Sequence, residues 1–453
     1  MGDPPNILLI MMDQHRWDAL SAVSDWVSTP HMDRIAAEGM RADRAYTNSP
    51  VCVPARVSLA TGRYPHNTGV WENCRYDLPG DAPTWMRSVR DAGYSTSVFG
   101  KTHLHRHVGD LRDRVDLVRS WGLEHVDEIA GPRASTKTSS NLTDLWDQHG
   151  VREAYVRDVQ NRVKRDPWAV RPSPLPFDLY PDVYVGRQAA GWLQAHADPR
   201  PWMCWVSFSG PHEPWDCPEP YASRFDPAAM PAPIVAPDGT SADRPRGLLD
   251  KRPDLGIPPE DVARMRADYA GNLALIDDQV GELLRVVEER GEMDNTVIAV
   301  VSDHGEMNGD FGMIYKQNFL DPSARIPFLL RAPGVPPGTV LDDPVELMDV
   351  GATLVDLAGG EPVAGSHARS LLPVLTQERR RHRQAAMSEF RGETMIATPQ
   401  WKMAVNKAGD TYLLFDLESD PHETHNLAGS PEHRNTQDRL RSLMLRRLVS
   451  TLR

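Results

Sequence analysis

Cysteine is scarce in this sequence and is not arranged as a framework. Four cysteines, Cys52, Cys74, Cys204 and Cys217, stand among 453 residues, with no C-x-x-C pair and no zinc spacing. That excludes a disulfide scaffold and a thiolate zinc module. Cys204 lies inside the apolar "WMCWVSF" and reads as core. Cys74 and Cys217 could pair, but nothing requires it. Positive charge is not in excess either. Lys and Arg total 50 against 63 Asp and Glu, a formal balance of −13, which argues against nucleic acid or an anionic membrane as a bulk partner. The opening "MGDPPNILLIMMD" lacks a basic region and a cleavage site. Its apolar run is too short for a signal peptide or a span, and reads as the first strand of a cytoplasmic enzyme. A G-x-S-x-G elbow, repeats and low-complexity tracts are all missing, which removes that serine-hydrolase reading and any solenoid. Asn141-Leu142-Thr143 fits a glycosylation sequon and reads as chance.

What is present is ordinary globular material: 40% hydrophobic and 25% charged residues, enough for a sizeable core. The length suits a large α/β catalytic domain with a smaller companion. "NILLIMMD" is a continuous apolar run, as a buried parallel strand requires. "TPHMDRIAAEG" has a Thr cap, an early Pro and a Gly stop, so it reads as a helix. Further helices are expected at about 82–92, 182–197 and 260–290, and in "VELMDVGATLVDLAG". Strands are expected in "YSTSVFGK", "WMCWVSFSG", "NTVIAVVSD" and "IPFLLRA". Repeated strand-then-helix units imply a large, mostly parallel sheet sandwiched by helices. Two excursions interrupt it, an aperiodic one from about 104 to 181 and a proline-rich one from Pro211 to Pro259. Both are expected to line a site. The basic "QERRRHRQ" reads as a solvated junction. Beyond it, "AAMSEF", "TMIAT", "WKMAVN" and "TYLLFDL" read as a small antiparallel sheet. The tail from about Glu432 reads as a docked helix with apolar Leu440, Leu443 and Leu448. The expected domains are 1–375 and 384–453.

Two strands end in polar pairs, Asp13-Gln14 and Asp303-His304. Side chains just past the carboxyl ends of parallel strands face the crevice where α/β folds bind ligands. These four together would make a metal site, although a single such Asp is as often a cap. Lys101 and His103 follow another strand, two apart and so on one side of an extended segment. His212 and Lys316 follow two more strands. A lone Lys or His is usually structural. Here nearly every strand exit supplies a cation or a ligand, which is the local positive cluster an acidic protein needs to hold an anion. A final oddity is "SPVCVPARVSLATGR", which sets Cys52, Pro54 and Arg56 at C-x-P-x-R spacing ahead of Thr61-Gly62-Arg63.

With these segments on view, the chain resembles the type I sulfatases of the alkaline phosphatase superfamily over nearly its whole length. C-x-P-x-R followed by T-G is that family's signature. "GKTHL", "SGPHEPWDCPEPY", "SDHGEMNGDFGMIYK" and "YLLFDLESDPHETHNLA" resemble its further motifs. The resemblance implies an alkaline phosphatase-like fold and hydrolysis of a small anionic ester. It implies that a maturation enzyme reads Cys52, Pro54 and Arg56 and oxidises the cysteine to Cα-formylglycine, which hydrates to a diol. Asp13, Gln14, Asp303 and His304, with position 52, would hold one divalent cation, Ca²⁺ by resemblance. The diol would attack sulfur or phosphorus in line, steadied by Arg56. Lys101, His212 and Lys316 would neutralise the non-bridging oxygens. His212 or Lys316 would protonate the leaving group, and His103 would take the diol's second proton. A homo-oligomer is left open.

Two positions depart from the commonest pattern. Gln14 stands where an acid is common and His304 where asparagine is common, which brings Mn²⁺ into play beside Ca²⁺. The same set resembles the phosphonate monoester hydrolase and choline-sulfatase-like members. A sulfuric ester hydrolase is therefore the first expectation and a phosphonate monoester or phosphodiester hydrolase the second. A non-catalytic anion binder would be expected to have lost one of Cys52, Arg56, Lys101, His103, His212 or Lys316. His105 and His107 match no motif. Trp71, Glu72, Asn73 and Arg75 could line the pocket, but a structural role is the first reading at each.

Overall fold

The structure is a computed structural model that describes residues 4–165, 167–235 and 255–452. The later part of the proline-rich excursion, 236–254, lies outside the described residues. Eight strands form the central sheet: β1 (Asn6–Met12), β2 (Met40–Ala42), β3 (Ser95–Gly100), β4 (His125–Glu128), β5 (Trp202–Ser207), β6 (Thr296–Ser302), β7 (Phe328–Arg331) and β8 (Thr339–Leu341). Their spatial order is β8-β2-β7-β6-β1-β5-β3-β4. β1 lies between two parallel neighbours, with Ile10 opposite Val206 on one side and Val300 on the other. Its side chains alternate between the two faces. Ile7, Leu9 and Met11 enter one core, and Leu8, Ile10 and Met12 the other. That is why the run is apolar throughout, and each fully buried side chain contributes about 1.5–3 kcal/mol. β7 alone runs against its neighbours. The chain leaves β6 and re-enters the sheet from the same edge, which reverses direction.

Helices cover both faces. α1 (Pro30–Glu38), α3 (Pro181–Ala195) and α4 (Pro259–Glu289) pack on one core, through residues such as Met32, Val183 and Leu275. α2 (Cys52–Thr61) and α5 (Met348–Leu357) pack on the other, through Val57 and Leu354. The expected Thr29 cap of α1 is not made by its side chain. Asp277 of α4 takes that place, accepting from the backbone N–H of His31 at 3.0 Å and Met32 at 2.9 Å. Helix α1 is thus capped from another element.

The excursion from 104 to 181 is not aperiodic. It holds β4 and the helices Val115–Ser120, Asn141–Gln148 and Arg152–Arg165. Its helices are short and bury only a few large residues, such as Leu142, Trp146 and Tyr155, too sparse a pattern to stand out in sequence.

Beyond the sheet, β9 (Ala386–Phe390), β10 (Glu393–Ala397), β11 (Trp401–Val405) and β12 (Thr411–Asp416) form an antiparallel meander. α6 (Arg434–Ser450) docks on it through Leu440 and Met444, with Leu443 and Leu448 half-buried. The basic junction is only partly solvated. Gln377–Arg381 is exposed, but His382 and Arg383 are buried on Asp349 of α5, at 2.9 and 2.7 Å. A carboxylate sealed in that position needs such partners. All four cysteines are free, with Cys74 exposed and Cys217 buried, so they do not pair.

Candidate active site

The site is assembled at the carboxyl edge of the sheet. β1 and β6 are in register, Met12 opposite Ser302, so the next residues, Asp13 and Asp303, emerge side by side. Both are fully buried. Lys101 leaves β3 after Gly100, whose φ is +99°, and a Cβ there would sit 2.0 Å from the Ser207 carbonyl oxygen. That crossing needs glycine. Gln14 and His103 also have left-handed backbone, φ 73° and 54°, local strain of a kind that clusters at functional sites.

Cys52 is the first residue of α2, a helix buried at all ten positions. Its amide end therefore faces the site. Arg56 stands four residues on, hence on the same helical face. Its Nε donates to Asp303 Oδ2 at 2.7 Å, Nη2 to Asp13 Oδ2 at 3.3 Å, and Nη1 to the Lys101 carbonyl at 2.5 Å and Ser207 Oγ at 3.0 Å. His304 Nε2 lies 3.1 Å from Cys52 Sγ, 3.7 Å from Asp13 Oδ1 and 3.6 Å from Asp303 Oδ1. Ligand atoms of Asp13, Cys52, Asp303 and His304 all fall within 4.8 Å of one another. Two buried carboxylates and an imidazole suit a divalent cation, and the neighbouring Lys101 and Arg56 answer the carboxylate charge.

The electrostatics match this crowding. Burial opposes ionisation of the Cys52 thiol, yet Lys101, Lys316 and His304 outweigh it and hold its pKa well below the usual thiol range. Burial also opposes the Asp13 carboxylate, as does Cys52, but Lys101, His212 and Arg56 bring it below its ordinary value. Burial, reinforced by Lys101, pushes His103 down to about 3. His103 is therefore neutral near pH 7.

Cys52, Lys101, His103, His212 and Lys316 line one cavity of about 240 Å³. Asp13, Asp303, His304 and Arg56 stand behind Cys52. Gln14 is held differently from its acid neighbours. Its Nε2 donates to Glu213 Oε2 at 2.9 Å and to Glu306, and its Oε1 accepts from Lys316. Burial, and then Glu213, raise the Glu306 pKa.

Sequence reading missed Glu213, Glu306, Arg133 and Tyr315. Arg133 lines the cavity, pairs with Glu213 at 2.7 Å and lies over the Tyr315 ring at 5.3 Å. It comes from the first excursion, as expected of a site-lining segment, but nothing in its local sequence marks it. Glu213 directly follows His212, and that adjacency was the available signal. Of Trp71, Glu72, Asn73 and Arg75, Asn73 lines the cavity, and its Oδ1 also accepts from the Val53 amide at 2.9 Å.

The sulfatase family model matches residues 5–360. The chain belongs to the sulfatase family. A second model, N-sulphoglucosamine sulphohydrolase, C-terminal, matches residues 309–449 of this sulfatase. Among curated relatives, a choline-sulfatase of Rhizobium meliloti is 29% identical over 94% of this chain and 83% of its own. An arylsulfatase of Clostridium perfringens is 28% identical over 98% and 94%. A phosphonate monoester hydrolase from Silicibacter pomeroyi superposes with a TM-score of 0.82 at 25% identity, covering 99% of this sulfatase and 96% of that chain. The fold is therefore that of the alkaline phosphatase superfamily, and the sulfatase is an ester hydrolase. Among its described residues no helix is long and apolar enough to cross a membrane.

Proposed function

We propose that the chain cleaves a small sulfate monoester to alcohol and sulfate, using a Cα-formylglycine made from Cys52 by a maturation enzyme and one divalent cation. The observation that carries this is the position of Cys52. It stands at the amino end of α2, among Asp13, Asp303 and His304, in a cavity shared with Lys101, His103, His212 and Lys316. Asp13, Asp303 and His304 would hold the cation, with Gln14 the expected further protein ligand. Ca²⁺ follows from the family, whereas the His304 imidazole suits Mn²⁺. Together the cation and the hydrated aldehyde would supply an oxygen nucleophile at neutral pH.

The remaining roles belong to this chain's own side chains. Lys101 and Lys316 surround the non-bridging oxygens with positive charge and His212 adds a hydrogen-bond donor, usually the largest kind of contribution to such catalysis. The amino end of α2 adds partial positive charge. His103, neutral by burial, accepts a proton beside position 52. His212, its Nδ1 engaged by the Glu213 carbonyl at 2.7 Å, keeps Nε2 for the leaving oxygen, with Lys316 as the other proton donor. Arg56 fixes the two carboxylates.

A phosphonate monoester or phosphodiester is the second reading. The Silicibacter pomeroyi likeness favours it, as does Gln14 in place of an acid. The test is co-expression with a formylglycine-generating enzyme, conversion checked by mass spectrometry, and hydrolysis of an aryl sulfate against an aryl phosphonate monoester beside a Cys52→Ala control. Faster sulfate cleavage supports the proposal, and faster phosphonate cleavage supports the second reading. Converted protein no faster than the control on either ester sinks both.

A further inference from the structure

Beside the cavity stands a second group of metal-type donors that the ester chemistry does not use. His105 and His107 follow β3, two residues apart, and Glu128 is the last residue of β4. Glu128 Oε2 lies 2.6 Å from His105 Nε2, and Oε1 lies 3.3 Å from His107 Nε2. Ligand atoms of all three fall within 4.8 Å of one another, and all three side chains are at least 97% buried. A third group, His31, Asp277 and Asp278, is weaker, because Asp277 already caps α1.

We propose that His105, His107 and Glu128 form a binding site for a second divalent transition metal, of the Zn²⁺ or Mn²⁺ class, at the edge of the catalytic cavity. Two imidazoles and one carboxylate are a common donor set for such ions, which leaves positions open to an outside ligand. The spacing agrees. Donors about 2.1 Å from a tetrahedral ion stand about 3.4 Å apart, close to the His107–Glu128 separation. The 2.6 Å His105–Glu128 contact has to open by under about 1 Å to reach that spacing. Without an ion His107 Nε2 has only a contact to Glu128 that is long for a hydrogen bond. His107 lines the same cavity as Cys52 and stacks on His103 at 4.9 Å. An ion there would present an electrophile to the organic half of a substrate and restrain the His103 ring.

The proposal is independent of which ester is cleaved. The full chain, stripped with chelator, is loaded with Zn²⁺, freed of excess by gel filtration and assayed for bound zinc. The wild type is expected to hold one more equivalent than His107→Ala and Glu128→Gln. X-ray absorption of the zinc-loaded wild type is expected to show, on average, more than one imidazole per zinc, since the catalytic group offers one. Variants that hold as much zinc as the wild type would overturn the proposal. An average of one imidazole or fewer would overturn it without recourse to any variant.

Discussion

Arg56 carries more of the site than its place in a recognition motif suggests. One guanidinium spans both buried carboxylates, the Lys101 carbonyl and Ser207. Lysine would keep the charge and lose the planar fork. Arg56→Lys is expected to stay folded and to lose at least about 100-fold in kcat/KM, since misplacing catalytic groups by about 1 Å costs that much. Arg56→Ala leaves two buried carboxylates short of a partner. In metal-free protein its urea unfolding should show a loss of about 3–5 kcal/mol, and an unchanged midpoint would contradict the structural role. Arg56 was legible as part of the C-x-P-x-R signature, whereas its place on the same helical face as Cys52 came from the structure. Gln14 was only half legible. Its position past β1 was readable, but its partners Glu213 and Glu306 lie 199 and 292 residues away.

Elements were legible where their signals are local and strong. β1, β5 and β6 announced themselves by apolar runs, and α4 by its length. The cap of α1 was not legible, because it is a carboxylate from α4. Asp277→Ala should destabilise the protein by about 1–2 kcal/mol, the usual worth of a helix cap, measured by denaturant unfolding. Asp277 also bears on pH. Burial pushes its carboxyl up to about 7, against the two backbone N–H groups that favour the charged form. A folded pKa raised above the unfolded one means that folding takes up a proton. The stability from this group is fully present below about pH 4 and is lost as pH rises through about 7. Asp277→Asn should therefore flatten the change in melting temperature between pH 5 and pH 8, and a slope equal to wild type would rule this out.

At the scale of the whole molecule, the small sheet and the large one are joined by charge as well as apolar contact. Asp349 on α5 is fully buried and accepts from Arg383 and His382 of the junction. Burial opposes its charge, but Arg383 and then His382 hold its pKa well below the carboxylate range. A depressed pKa reverses the sign found at Asp277. This stability is present above about pH 4 and disappears as pH falls below it. Asp349→Ala strands the buried Arg383 cation and should cost about 3–5 kcal/mol at pH 7. The cost should shrink in acid, followed by urea unfolding at pH 7 and pH 3. By itself the sequence determined the alternation of strands and helices and the strand ends that bear Asp13, Lys101 and Asp303. Those features depend on periodicity and spacing within a few residues. Only the tertiary structure decided that Arg133 enters the cavity, that Asp349 takes up the basic junction, and that Glu128 meets His105 and His107. Each of those joins groups on separate elements, through contacts that chain spacing does not fix.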